Sequence, residues 1–89
     1  NVFSPNGQGD PENEFFRPVG IINGTRNYRM LIWDRWGNLL FTSNDLSTPW
    51  AGRNQSNDLL PQGVYIYIIE FIGPRGEPYK YAGDVTLLR

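Results

Sequence analysis

Clustered apolar positions predict a β-hairpin in the first half of the chain. Residues 28–33 are dense in aromatic and branched apolar side chains, and residues 39–42 repeat that character. Between these runs lie Gly37 and Asn38, two residue types that adopt positive φ at low cost. Apolar runs joined by such a turn are typical of a hairpin, and the β-branched, aromatic and glycine content disfavours a helix. We therefore predict two antiparallel strands, with Gly37 at positive φ.

Alternation along the first of these strands also predicts its buried face. Tyr28, Met30 and Ile32 lie on one face of an extended strand, and Arg29 lies on the other. An unpaired arginine is costly to bury. We therefore expect the face that carries Tyr28 to contact the core.

The longest β run begins after the turn Pro61-Gln62-Gly63, and its inward face carries three side chains: Tyr65, Tyr67 and Ile69. Tyr65 stands where immunoglobulin-type sandwiches carry a tyrosine whose hydroxyl caps the preceding loop. The opposite face carries three aliphatic side chains: Val64, Ile66 and Ile68. Three such side chains together in water are unusual. Either another segment of the chain or a partner covers them, and cover by the chain itself is favoured.

Turn signals divide the 89 residues into around seven short β runs without a helical period. One run lies before Pro5, one lies at residues 19–22 beside Pro18 and Gly20, and the last covers residues 83–89. This pattern predicts an all-β domain, an antiparallel immunoglobulin-like β-sandwich of about seven strands. The length predicts one domain over residues 1–89.

Composition excludes several classes of function. The net charge is −1 and the sequence has no stripe of lysine and arginine, which argues against nucleic acid as a partner. Cysteine and histidine are both absent, which removes thiol nucleophiles, Cys/His zinc sites and Ser-His triads. We expect no catalytic residues, no cofactor and no small-molecule substrate.

The loop at residues 6–14 carries oxygen-bearing side chains at alternate positions, as calcium loops do. These side chains are Asn6, Gln8, Asp10, Glu12 and Glu14. The EF-hand template fails, because its glycine position falls on Pro11 and its bidentate glutamate position falls on Arg17. A solvated turn and an ion site are the two alternatives. We favour the solvated turn and predict no metal.

Several motifs follow one another along the whole chain. They are Asn1-Val2-Phe3-Ser4-Pro5-Asn6-Gly7, Phe16-Arg17-Pro18, Ile32-Trp33-Asp34-Arg35-Trp36-Gly37-Asn38, Trp50-Ala51-Gly52, Pro61-Gln62-Gly63-Val64-Tyr65-Ile66-Tyr67 and Gly83-Asp84-Val85-Thr86-Leu87-Leu88-Arg89. In this order the chain resembles the gliding-motility-associated C-terminal domain, the type B C-terminal sorting domain of the Bacteroidota type IX secretion system. It departs from the family pattern at Gln8 and at Ala51, where the family carries acidic or amide residues.

The resemblance implies a non-catalytic targeting domain at the end of a longer secreted or surface precursor. Its partners would be outer-membrane components of the type IX translocon and the N-terminal cargo domains of the same precursor. The protein would pass through the periplasm and be secreted or held at the outer-membrane cell surface. Two other interpretations remain: a carbohydrate-binding module that stacks sugars on Trp33, Trp36 and Trp50, and an adhesive immunoglobulin-like repeat. An enzyme is the least favoured class.

Sorting machinery that serves many cargoes must recognise exposed features of the domain. We predict that it binds the hairpin rim and an edge formed by the C-terminal strand. The predicted partner-binding residues are Asp34, Arg35, Trp36, Asp84, Thr86, Leu87, Leu88 and Arg89. The alternative for Asp34 and Arg35 is that they only brace the turn. We expect Arg35→Ala, or removal of residues 87–89, to leave a folded passenger in the periplasm.

Overall fold

The computed structural model describes residues 2–5, 15–16, 18 and 24–89. All regular secondary structure among them is β, which confirms the all-β prediction. The five strands are β1 (Val2–Phe3), β2 (Arg26–Trp33), β3 (Leu39–Ser43), β4 (Gly63–Ile72) and β5 (Pro78–Leu87). Within this part of the chain, no helix has the length and apolarity to cross a membrane.

The five strands form one mixed sheet with the order β1-β5-β4-β2-β3. The pairs β2–β3, β2–β4 and β4–β5 are antiparallel, whereas β1 runs parallel to β5. A sandwich of seven strands is not confirmed: outside the sheet, the described residues add only the isolated bridges Phe16–Trp50 and Arg53–Leu59. The predicted β run at residues 19–22 and the loop at residues 6–14 lie outside the described residues.

The predicted hairpin is formed by β2 and β3. In this hairpin Ile32 of β2 pairs with Phe41 of β3. The register of the pairing shifts between Ile32 and Trp33, so that Trp33 pairs with Leu39. Gly37 adopts a φ of 87°, which confirms the predicted positive φ at this position. Since L side chains are strained in this region, glycine is the residue that suits the turn.

The predicted core faces are confirmed. Tyr28, Met30 and Ile32 of β2 are buried, and Tyr65 and Ile69 of β4 pack beside them. Because side chains alternate along a strand, these residues all lie on one face of the sheet. The remaining buried apolar side chains of this core are Phe3, Trp50, Val85 and Leu87.

Trp50 closes the core from the segment between β3 and β4. Its side chain is 0% exposed, and its ring lies 5.0 Å from the Phe3 ring and 5.3 Å from the Tyr65 ring. Its backbone exchanges two hydrogen bonds with Phe16, with N···O distances of 2.8 and 2.9 Å. Trp50 therefore connects the inner face of the sheet to the segment that contains Phe16.

The outer face of the sheet carries the predicted aliphatic row. Val64 and Ile66 are exposed, and Ile68 is half-buried. Their partial shelter comes from the sheet itself, because Trp33 pairs with Ile66 and Leu31 pairs with Ile68. We expected another segment of the chain to cover this row, and Val64 remains 45% exposed with the described residues in place.

Candidate functional site

Asp34 organises the tip of the β2–β3 hairpin. Its Oδ1 accepts hydrogen bonds from the backbone N–H groups of Trp36 and Asn38, each at 2.9 Å. Its Oδ2 accepts a third from the Asn38 side-chain amide at 2.9 Å. The bonds from Asn38, followed by that from Trp36, hold the pKa of the Asp34 carboxyl below its usual range. The alternative given for Asp34, that it braces the turn, therefore has a direct structural basis.

The braced turn presents Trp36 and Arg35 to solvent. Trp36 is 79% exposed, which is unusual for so large an apolar side chain. The Arg35 guanidinium carbon lies 5.7 Å from the centroid of the Trp36 ring, within cation–π distance. Both residues have the chemistry of binding hot spots, and the turn fixes the backbone that carries them.

A shallow groove separates the hairpin tip from the start of β4. It has a volume of about 220 Å³ and lies between Trp36 and the segment at residues 60–65. Tyr65 fixes that segment, because its hydroxyl donates a 2.6 Å hydrogen bond to the Pro61 carbonyl. The loop-capping role predicted for Tyr65 is therefore confirmed. Burial raises the pKa of Tyr65, and the nearby Arg89 partly opposes this rise.

The end of β5 lies on the other side of this segment. The Nη2 atom of Arg89 donates hydrogen bonds to the Gly52 carbonyl at 2.6 Å and to the Leu60 carbonyl at 2.8 Å. The Nε atom of Arg89 donates a further hydrogen bond to the Leu60 carbonyl at 3.0 Å. Its backbone N–H donates to the Gln62 Oε1 at 3.0 Å. Arg89 thus ties together the segment after Trp50 and the segment before β4.

The expectation that residues 84–89 form an exposed edge is wrong for part of this stretch. Thr86 and Leu87 lie between β4 and β1, since β1 pairs with them in parallel. Leu87 points into the core and is 0% exposed, and Thr86 is half-buried. Leu88 is exposed, but its N–H bonds to the Phe3 carbonyl at 2.9 Å. The exposed side chains of this stretch are therefore Asp84, Leu88 and Arg89.

The two predicted recognition elements lie at the same end of the sheet. The hairpin tip follows β2, the groove precedes β4, and Arg89 follows β5, so antiparallel pairing brings all three to one end. Leu60 and Gln62 link them, because both line the groove and both accept hydrogen bonds from Arg89. Asp84 lies apart, opposite Ile66 on the outer face. We did not predict Leu60 or Gln62 as site residues, although the Pro61-Gln62-Gly63 turn marked the place.

Replacing Tyr65 with phenylalanine is expected to lower the free energy of unfolding by about 1 kcal/mol, because the Pro61 carbonyl loses its partner. Tyr67→Phe is the matched control, since no described residue accepts a hydrogen bond from its hydroxyl. Urea denaturation followed by circular dichroism measures both changes. Identical midpoints for Tyr65→Phe and wild type would contradict the capping role.

The described residues contain no group of three or more acidic residues that could hold a metal ion. The candidate calcium loop lies outside these residues. The three tryptophans occupy different environments: Trp50 is in the core, Trp33 lies on the outer face, and Trp36 is at the hairpin tip. Because Trp50 is fully buried, the three tryptophans do not form the common sugar-stacking surface expected of a carbohydrate-binding module.

The chain is similar in sequence to a protein family and in structure to part of a solved protein. The family model described as CHU_C Type IX secretion signal domain matches residues 1–87. No curated protein sequence matches the chain. A solved structure from a study of PorZ of Porphyromonas gingivalis, described as an essential bacterial surface component of the type-IX secretion system, is similar at 18% identity and a TM-score of 0.48. That similarity covers 72% of this chain and 8% of the PorZ chain.

Proposed function

The chain belongs to the CHU_C type IX secretion signal domain family, and from this membership we propose that its hairpin tip is the surface by which the secretion machinery recognises it. Membership establishes a sorting and targeting role, with export through the type IX system to the cell surface or outside. The proposal adds the location of recognition within the domain. The predicted partner-binding residues at this end are Asp34, Arg35, Trp36, Leu88 and Arg89.

The exposure of Trp36 supports the proposal most directly. A folded domain normally buries a tryptophan, yet 79% of this side chain is in solvent on a turn that Asp34 holds in place. A preorganised aromatic side chain loses little entropy on binding. The groove beside Trp36 offers a place for a partner side chain. Trp36 would supply apolar contact, and Arg35 would pair with a carboxylate of the partner.

The same proposal includes the route and the partners. The domain would be one part of a longer secreted or surface protein, with cargo domains on its N-terminal side. Outer-membrane components of the translocon would bind it after passage through the periplasm. It would perform no catalysis itself, since its role is recognition.

We also propose that the complete fold is an immunoglobulin-like sandwich. The bridges Phe16–Trp50 and Arg53–Leu59 support a second layer over the inner face, because both lie outside the five-stranded sheet. Phe16 packs on that face, with its ring 5.0 Å from the ring of Tyr67. The capped Tyr65 is a further feature that such sandwiches share.

An export assay tests the proposed surface. Residues 1–89 are fused behind a fluorescent protein and expressed in strains with and without a functional type IX system. We expect type IX-dependent export of the wild-type fusion, and retention of the folded passenger in the periplasm for Trp36→Ala and Arg35→Ala. Both side chains are exposed, so neither change should alter the melting temperature of the isolated domain by more than a few degrees.

Leu46→Ala is the matched control. Leu46 is also an exposed apolar residue, but it lies in the loop after β3, at the opposite end of the sheet from the hairpin tip. Its fusion should be exported like wild type. Wild-type export of both Trp36→Ala and Arg35→Ala would show that recognition lies elsewhere on the domain. Equal export from the strain without the system would contradict the sorting role itself.

A further inference from the structure

The aliphatic row on the outer face of the sheet remains partly open to solvent. Val64 and Ile66 are 45% and 38% exposed, and Ile68 is half-buried. Trp33 lies beside this row, because β2 pairs it directly with Ile66. We call these four side chains the outer patch. Contiguous apolar side chains in contact with solvent commonly mark a binding surface.

The outer patch is continuous with the hairpin tip. A groove of about 360 Å³ is lined by Trp33 and Ile66 of the patch and by Asp34 and Arg35 of the tip. The same Asp34 and Arg35 also line the groove beside Trp36. These two residues therefore lie where the groove at the end of the sheet meets the groove on its outer face.

Opposite charges border the outer patch on its two sides. Arg35 lies on the side of the hairpin, and Asp84 lies on β5, where it pairs with Ile66. Both side chains are exposed, and neither forms an ion pair with a described residue. A segment that lies across the patch is therefore complementary to it when its centre is apolar and its two ends carry opposite charges.

We propose that the secretion partner that recognises the hairpin tip also covers the outer patch with an extended apolar segment. A carboxylate of this segment pairs with Arg35, and a cation pairs with Asp84. This assignment rests on the recognition role proposed for the tip and extends the surface from Trp36 across the outer face. It also gives a role to Asp84, a predicted partner-binding residue that lies apart from the tip.

The size of the outer patch favours a partner that also contacts the tip. Standard interfaces bury about 800 Å² on each partner. The patch consists of four side chains, and the sheet already half-buries two of them, Trp33 and Ile68. A second copy that packs on the patch alone would bury too little surface for a stable dimer. Addition of Trp36 and its groove enlarges the surface, which a partner bound at the tip can reach.

Two threonine replacements in the export fusion test the proposal. The double variant Val64→Thr/Ile66→Thr makes the centre of the patch polar, while both positions keep a β-branched side chain that suits a strand. We expect about tenfold less type IX-dependent export than for the wild-type fusion, since lost apolar contacts of this size weaken a complex by about that factor. The melting temperature of the isolated domain should change by no more than a few degrees, because both side chains are exposed.

Two variants serve as controls for polarity and position. The exchange Val64→Ile/Ile66→Val alters the same two side chains but keeps them apolar, so its export should equal that of wild type. Leu46→Thr makes the polar change at a side chain that is 39% exposed, close to the 38% of Ile66, but at the opposite end of the sheet from the tip. It should also be exported like wild type.

Charge reversal at the border of the patch gives a second readout that leaves the apolar side chains in place. Asp84→Lys should reduce export by about 3–10-fold, since it replaces an attraction to the partner's cation with a repulsion. Asp84→Glu keeps the charge and should retain export. Asp58→Lys makes the same change in charge in the loop between β3 and β4, where Asp58 is also exposed, and should be exported normally.

Wild-type export of both the double threonine variant and Asp84→Lys would overturn the proposal. If Trp36→Ala were retained in the same assay, the recognition role of the tip would stand without the outer patch. The passenger is an unrelated fluorescent protein, so a patch that contacts only the natural cargo would also give wild-type export.

Sedimentation equilibrium of the isolated domain tests a second copy as the occupant. We expect a monomer. A dimer that the double threonine variant dissociates would assign the outer patch to a second copy and would overturn the proposal, whatever the result for Trp36→Ala.

Discussion

Replacing Trp50 with alanine is expected to lower the free energy of unfolding by about 3–5 kcal/mol, the range typical of large aromatic residues removed from a core. Trp50 is fully buried, and its ring packs against Phe3 and Tyr65. Its indole N–H also donates to the Arg53 carbonyl at 2.9 Å. The change therefore leaves a large cavity and removes the partner of a carbonyl group.

Two variants show whether this loss comes from the core. Trp50→Phe keeps an aromatic ring but removes the indole N–H, so its midpoint in urea should lie between those of wild type and Trp50→Ala. Trp36→Ala removes the same type of side chain from an exposed position and should leave the midpoint nearly unchanged. Circular dichroism is the suitable probe, since fluorescence changes with the tryptophans themselves. A wild-type midpoint for Trp50→Ala would contradict the assigned core.

Features that depend on local sequence were predictable. The buried face of β2 follows from the two-residue period of a strand and from the cost of burying Arg29. Gly37 at positive φ follows from the chemistry of hairpin turns, and the structure has it at 87°. The Tyr65 cap follows from a turn placed four residues before a tyrosine, and the structure contains the bond to Pro61.

Features that depend on distant segments were not predictable from the pattern. The sequence shows Val2 and Phe3 as a short apolar run, but nothing in it indicates that they pair in parallel with Thr86 and Leu87. That pairing is what removes the C-terminal end of β5 from the sheet edge. The bonds from Arg89 to Gly52 and Leu60 likewise join segments that are far apart in the chain. For the candidate site, the residue types alone identified the hairpin tip. The residues that lie next to the tip are determined by the packing of β4 and β5, which the sequence pattern does not show.

Trp50 illustrates the same limit. Polar stretches lie on both sides, at residues 43–48 and 53–58, so the pattern marks only a brief apolar point at residues 50–52. In the structure it is the largest of the fully buried side chains. A single apolar residue outside a periodic run does not indicate which face of the sheet it packs against. Its burial is decided by the shape of the sheet beneath it.

Removal of residues 87–89 is expected to unfold the domain, in contrast to the folded passenger predicted from the sequence. The deletion takes away Leu87, which is fully buried, and a buried leucine reduced to alanine alone costs about 2–5 kcal/mol. It also removes the Leu88 N–H that bonds to Phe3 and the whole of Arg89. These losses act together on a domain whose total stability is on the order of 5–15 kcal/mol.

The variant Arg89→Ala distinguishes a loss of folding from a loss of partner binding at this end of the sheet. It keeps Leu87 in the core and removes only the side-chain bonds to Gly52 and Leu60, so we expect a loss of about 1–2 kcal/mol in urea denaturation. The domain should remain folded at the temperature of the export assay. Failed export of the shortened domain therefore reports unfolding, whereas failed export of folded Arg89→Ala would report a lost contact with the partner. A shortened domain that melts like wild type would contradict the core position of Leu87.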